Sequence, residues 1–352
     1  MPILADRADV VVAVDTHTDT HSAAVLSPVG AVLAELTVAS DPAGHARLLA
    51  WASRHTEALR RVWIIDGARS HGIGLTRDLR QAGEEVIDAP RVAGQGRRRG
   101  GKSDTLDAIH IGRTALGASK LATPRSDGDR EALRILLVCR RHYTDQRTAT
   151  VNLFKSLILT ADHDLRGNLR GLTTARQVTH AARLDATTSG DLDPAARVRR
   201  QHLAALATQI STLDQTLAAN KAQLTKLVAA MCPVLLDQPG VGPVTAAIAL
   251  TAWSHRGRFR NDAAFAAFAG ASPLQASSGR TVRHRLNRGG DRTLNAALHT
   301  IVITRRRAHQ PTRDYIARRT AEGKTDREIN RCLKRYLARK LLRIMQANRP
   351  AS

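Results

Sequence analysis

Four aspartates punctuate the first third of the chain where carboxylates can meet. Asp15 closes the β-branched run VVAVD, Asp66 closes RVWIID, and Asp104 and Asp107 stand three apart in SDTLDAIHIGR. Residues three apart share one face of a helix. Gathered carboxylates repel one another unless cations neutralise them, and Mg²⁺ or Mn²⁺ prefers such oxygen ligands. Two such ions about 4 Å apart activate a nucleophile and stabilise a leaving oxygen in phosphoryl transfer. The plainer alternative is a set of ordinary strand-end and helix-start acids, an Asp at a helix N-terminus gaining from the macrodipole. The order, two strand ends and then the helical pair, favours the metal site. Asp19 reads as a turn residue.

A second chemistry is spelled out by SPLQASSGRTVRHRLNRGGDR at 272–292. Ser277 and Ser278 precede Gly279 at a turn, followed by Arg280, Arg283, His284, Arg285 and Arg288. A serine on a glycine turn is sterically free, and clustered arginines hold a phosphate and lower the cost of transition-state charge. A serine–phosphate ester conserves bond energy and allows rejoining without ATP. Spacing alone equally describes, and by itself favours, a polar surface turn of a DNA-binding module. Gly240-Val241-Gly242 resembles a helix-hairpin-helix turn, whose backbone N–H groups grip phosphate; it also reads as a purely structural turn. PRVAGQGRRRGGKS, with Arg97, Arg98, Arg99 and Lys102, reads as a mobile basic loop. Arg305–Arg307 and the helix bearing Arg331, Lys334, Arg335, Arg339, Lys340 and Arg343 are expected to contact nucleic-acid backbone rather than form a merely solvated face.

These residues need a scaffold. Period-two and helical patterning predict strands at 10–14, 21–27 and 31–39, a helix at 42–58, a strand at 61–65, a helix at 72–82 and a strand at 85–89. The order βββαβαβ matches an RNase H-like sheet, in which the first and fourth strands are neighbours and bring Asp15 and Asp66 together. A helix follows over 104–116 with Ser103 as N-cap. Residues 126–230 read as helical: one long helix at 130–160, an irregular Gly-, Thr- and Asp-rich stretch at 161–195, and a heptad seam through Leu203, Leu206, Ile210, Leu213, Leu217, Leu224 and Leu227, broken by Asn220. The seam suggests a helical hairpin or a dimeric coiled coil. Further helices are expected at 262–269, 291–306 and 326–345. The expected architecture is α/β plus α, divided at 1–125, 126–230 and 231–352.

Charge bounds the partner. The chain of 352 residues carries a net +23, and aromatics are 3%, too few for stacking on single-stranded bases to dominate. Such a field favours a polyanion, nucleic acid or anionic membrane. With no apolar run near 18 residues, nucleic acid is the expected partner, not a membrane. Of the basic residues 46 are Arg and 8 are Lys, and Arg suits bidentate phosphate contacts. Residues 1–90 sum to −4, 91–125 to +6, 126–230 to +5 and 231–352 to +16. A protein that merely coats nucleic acid does not need the acidic part, whereas a metal-dependent nuclease or recombinase does. The cysteines lack zinc or disulfide spacing and no signal peptide is read, so a cytoplasmic location is expected.

VVAVDTHTDTHSAAVL, WIIDGARSHG, RRRGGKSDTLDAIHIGR, LLDQPGVGPVTAAIAL and FAAFAGASPLQASSGRTVRHRLNRGGDRTLNAALH together resemble the DEDD transposases of bacterial insertion sequences, the one-ten family that includes Piv-type invertases. The resemblance spans nearly the whole chain. It implies a RuvC-like N-terminal domain, a coiled-coil region and a C-terminal transposase domain. It further implies that Asp15, Asp66, Asp104 and Asp107 bind divalent metal and that the SSG serine, assigned to Ser278 with Ser277 as second choice, attacks DNA. It implies dimers or tetramers acting with a noncoding bridge RNA. Family members usually have Glu where this chain has Asp66, one methylene shorter. Two rival readings are a RuvC-like nuclease or junction resolvase using water, and a nonenzymatic nucleic-acid-binding protein.

Overall fold

Alternation along the first strand decides how the N-terminal part is layered. Val10–Thr16 (β1) is buried at every position, and successive side chains of a strand point to opposite faces. Val10, Val12 and Val14 enter one apolar cluster with Leu48, Trp51, Leu75 and Leu79. Val11 and Ala13 enter another with Ala108, Ile109, Ile111 and Ala115. A strand covered on both faces must be apolar throughout, which is how VVVAV reads. The structure is a computed structural model describing residues 2–56, 60–90, 104–184, 193–275, 284, 285, 287 and 289–348. It divides into two compact units, Met1–Arg125 and Ser126–Ser352.

In the first unit, Thr20–Leu26 (β2) and Val32–Ala39 (β3) extend β1 antiparallel, and Arg61–Ile65 (β4) and Val86–Asp88 (β5) extend it parallel on the other side. The sheet order is β3-β2-β1-β4-β5, with the first and fourth strands adjacent as expected. Pro42–His55 (α1) and Ile73–Gln81 (α2) cover one face. Asp104–Leu116 (α3) covers the other.

α3 lies unusually close to the sheet because of one glycine. A Cβ on Gly112 would stand 2.1 Å from Leu26 Cδ1 and 2.9 Å from Ala13 Cβ. Leu26 can swing aside, but the Ala13 methyl is fixed to the backbone of the central strand. Gly112→Ala is therefore expected to destabilise the fold by about 1–3 kcal/mol through overpacking, read as a lower urea midpoint.

In the second unit, Asp129–Leu159 (α4) and Pro194–Met231 (α7) pack along each other. Leu203 and Ile210 of the heptad seam are buried with His163–Leu169 (α5) and Thr174–Ala181 (α6), and Leu224 lies in the main core. These side chains are thus covered within the chain. Asn220, the break in the seam, is 5% exposed. Its Nδ2 donates to Leu136 O at 3.0 Å, and Arg140 donates to Leu217 O at 3.0 Å. A buried amide with partners on the facing helix fixes the register of the pair. α5 and α6 occupy the stretch expected to be irregular. They are short, and each is started by a side-chain cap: Asp162 accepts from Leu165 N and Thr173 from Arg176 N.

Pro243–Trp253 (α8), Asp262–Phe268 (α9), the hairpin of Leu274–Gln275 (β6) and His284–Arg285 (β7), then Arg292–Ala308 (α10), Gln310–Ala321 (α11) and Asp326–Ala347 (α12) complete the chain. α11 and the hairpin are not anticipated by the patterning. Leu133 of α4 and Leu224 and Val228 of α7 share one core with Leu250, Phe265, Leu298 and Leu341, so the regions expected to divide at 230 are packed as one body. Among the described residues no helix is long and apolar enough to cross a membrane.

Candidate active site

The end of β1 is where the first unit places its carboxylates. Val14 pairs with Ile65 across the parallel ladder, so Asp15 and Asp66 stand level at the ends of neighbouring strands. Asp66 N donates to Val14 O at 2.9 Å, and Thr16 Oγ1 donates to Asp66 O at 2.7 Å. β4 is thereby latched to β1 just where its acid emerges. Gly67 turns the chain away at φ +63, and a Cβ there would stand 2.9 Å from Thr16 Oγ1. Asp66 is exposed, and its Oδ1 accepts the Gly67 N–H at 2.9 Å.

Asp15 has the parity of Val11 and Ala13, which puts it on the α3 face. Gly112 sits over Ala13. Counting back from Gly112 to Asp107 along α3 covers about 7.5 Å. Two strand residues from Ala13 to Asp15 cover about 6.6 Å. The exposed Asp107 is thus carried toward the Asp15 end of β1, with Asp104 one turn earlier in α3. The described part of Asp104 is its helical backbone.

Electrostatics carries the same message. Burial pushes the Asp15 carboxyl above its ordinary range; His17 opposes this, and the charges of Asp107 and Asp66 add to it. His17 Nε2 lies 3.1 Å from Asp15 Oδ2. His17, in contact with Asp15, is a residue that sequence reasoning did not single out. The available signal was its parity with Asp15 two residues earlier. Among the described residues no three His, Cys, Asp or Glu side chains form a ready cage for an ion. The carboxylates near this strand end offer oxygens of the hard type that Mg²⁺ or Mn²⁺ takes, and Asp66 and Asp107 add to the negative charge felt by Asp15.

In the second unit, Leu274 pairs with Arg285 and Gln275 with His284 in an antiparallel pair, and Ser277 and Ser278 lie between these strands in the sequence. Those serines, together with Arg97, Arg98, Arg99, Lys102, Arg280, Arg283 and Arg288, lie outside the described residues, and Arg285 is described only as strand backbone.

Some of the residues expected to contact nucleic acid also have partners within the chain. At the Gly240 turn, a Cβ would meet Ile301 O at 3.0 Å, so α10 covers it. Val241 N donates to Gln238 O at 3.0 Å and Gly242 N to Thr245 Oγ1 at 3.1 Å. The chain before the turn is a single 3₁₀ turn, Pro233–Leu235. These donors close a structural turn. On the basic helices, Arg339 and Arg343 both reach the Asp262 carboxylate, and Arg305 Nε donates to Pro239 O at 2.6 Å. Part of the expected cationic face thus holds α12 and α10 to their neighbours.

The first unit is a mixed α/β domain consistent with the RNase H-like DEDD class, with carboxylates at the ends of β1 and β4 and on α3, and the remainder is mostly helical. The DEDD_Tnp_IS110 transposase model matches residues 12–161, and the model described as Transposase IS116/IS110/IS902 family matches residues 232–317. The chain belongs to this IS110 family of transposases. It is also 33% identical over 123 residues to the insertion element IS110 uncharacterized 43.6 kDa protein of Streptomyces coelicolor. That match takes in 34% of this chain and 30% of the relative.

Proposed function

We propose that the chain cuts and rejoins DNA, joining a serine covalently to the cut strand between the two steps. The observation that supports the reading is that Asp15 and Asp66 stand level at the ends of adjacent strands, with Asp107 near enough to add to the charge acting on the buried Asp15. A divalent cation held by Asp15, Asp66, Asp104 and Asp107 would neutralise charge building on the phosphodiester and its leaving oxygen. Asp15 is the anchor of that set, fixed in the central strand with His17 against one oxygen. Ser278 supplies the nucleophile: its Oγ forms a bond to phosphorus, a deoxyribose oxygen leaves and takes a proton, and the hydroxyl proton passes to a base or to water. A DNA hydroxyl reverses these changes on a second strand. Bond count is conserved, so no ATP is required. The reading includes the oligomer, dimer or tetramer, and the bridge RNA implied by the family resemblance.

The test is a trapping assay. Full-length protein incubated with element-end DNA and Mg²⁺ is expected to yield DNA that partitions with protein on phenol extraction and is released by protease. Cut DNA with free ends and no adduct would establish the water-using nuclease instead.

A further inference from the structure

Between the end of α9, α10 and α12 lies a cleft of about 410 Å³ lined by Gly270, Asn287, Arg292, Asn295, His299 and Lys334, among others. Among the described residues no Asp or Glu lines it. Lys334 is the deepest cation. Its Nζ donates to Asn295 Oδ1 at 2.9 Å, and Asn295 Nδ2 donates in turn to Ala269 O at 2.7 Å. The amide is therefore oriented by the backbone, its carbonyl turned to the ammonium, and two ammonium hydrogens remain to be shared. Burial holds the Lys334 ammonium below the ordinary lysine range, with Arg331 adding to the effect. Lys334 and His299 also border the adjoining recess of Asp326 and Glu328, but no described acid lines the cleft itself, and a cation held so gains from an anion there.

The recess is rigidly tied to the hairpin. A Cβ on Gly290 would stand 2.2 Å from Gly270 N, so the two backbones touch. Asp291 N donates to Phe268 O at 2.7 Å, and Gly289 N donates to Asn287 Oδ1 at 2.9 Å. The chain returning from β7 is thus strapped to the end of α9 beside the cleft, and its neighbour Arg292 stands exposed at the rim.

We infer that this cleft is a seat for one backbone phosphate of a nucleic acid strand, with Lys334 at its floor, oriented by Asn295, and Arg292 and His299 at its mouth. It rests on the proposed function, which makes nucleic acid the partner, and it names a site that positions a backbone phosphate. Lys334 is a positioning residue.

The test is equilibrium binding of the full chain in EDTA, by fluorescence anisotropy across a salt series, to a 30-base-pair DNA duplex and to an RNA hairpin. Lys334→Met is expected to weaken binding about five- to tenfold and to lower the salt slope by about 1, as loss of one phosphate contact does. Lys334→Arg restores the slope. Arg292→Gln, at an exposed position, lowers the slope in the same way and decides the matter should Lys334→Met fail to fold. A slope change on the duplex alone assigns the seat to DNA, on the hairpin alone to RNA, and on both to the shared phosphodiester. Wild-type affinity and slope in folded variants on both polymers would overturn the inference. Since no metal or strand transfer is involved, absence of a covalent adduct in the trapping assay leaves this measurement intact, and the converse holds too.

Discussion

Ser278→Ala is expected to abolish covalent capture of DNA and strand transfer, by a factor of about 10³ or more, while nucleic-acid affinity stays at the wild-type level. An activated hydroxyl splits a difficult transfer into two easier steps, and removing its oxygen leaves nothing to carry the strand between them. A factor of 10³ corresponds to about 4 kcal/mol of barrier. Binding is unaffected because the hydroxyl adds little to a chain whose net charge is +23. Ser277→Ala is the matched control, expected to keep activity. The measurement is quantitative recombination of paired element ends alongside gel-shift affinity. Recombination at the wild-type rate by Ser278→Ala would move the nucleophile to another residue.

Asp15→Asn is expected to cost a similar factor in metal-dependent cleavage and at the same time to raise the melting temperature of the metal-free protein. The two effects share one cause. Burial, with Asp107 and Asp66 nearby, holds the Asp15 carboxyl above its ordinary range despite the opposing His17. A carboxyl whose pKa is higher folded than unfolded binds its proton more tightly when folded, so stability falls as pH rises through the interval between the two values. At neutral pH the ionised Asp15 therefore destabilises the metal-free fold, and the neutral amide removes that penalty. Mg²⁺ should raise the wild-type melting temperature by mass action and leave Asp15→Asn nearly unchanged. Scanning calorimetry with and without Mg²⁺ checks both signs. A variant that melts lower than wild type in EDTA, or cleaves at the wild-type rate, would contradict the carboxylate site. Asp107→Asn, at the exposed end of the set, should lose cleavage with little change in metal-free stability.

Local chemistry made much of this protein legible in its amino-acid order. The run VVVAV specifies a central strand because every position alternates between two apolar layers. SDTLDAIHIGR specifies a helix whose stripe of Asp104, Asp107, Ala108 and Ile111 follows from the helical period. The βββαβαβ order then makes β1 and β4 neighbours, which sets Asp15 beside Asp66. Charge distribution points to a polyanionic partner from composition alone, without any contact.

What only the tertiary structure decided depends on distances between residues remote in sequence. That the charge of Asp107 acts on Asp15 depends on the close approach of α3 at Gly112, and no periodicity encodes that spacing. The basic helices looked uniform as a string. In the fold Arg339 and Arg343 are drawn to Asp262, Arg305 to a carbonyl, and Lys334 into an acid-free cleft. Asn220, a flaw in a heptad by sequence, is a satisfied polar contact once α4 lies opposite it. Side-chain type sets what a residue can do, while the partner it meets is set by packing of chain segments whose separation the linear order does not contain.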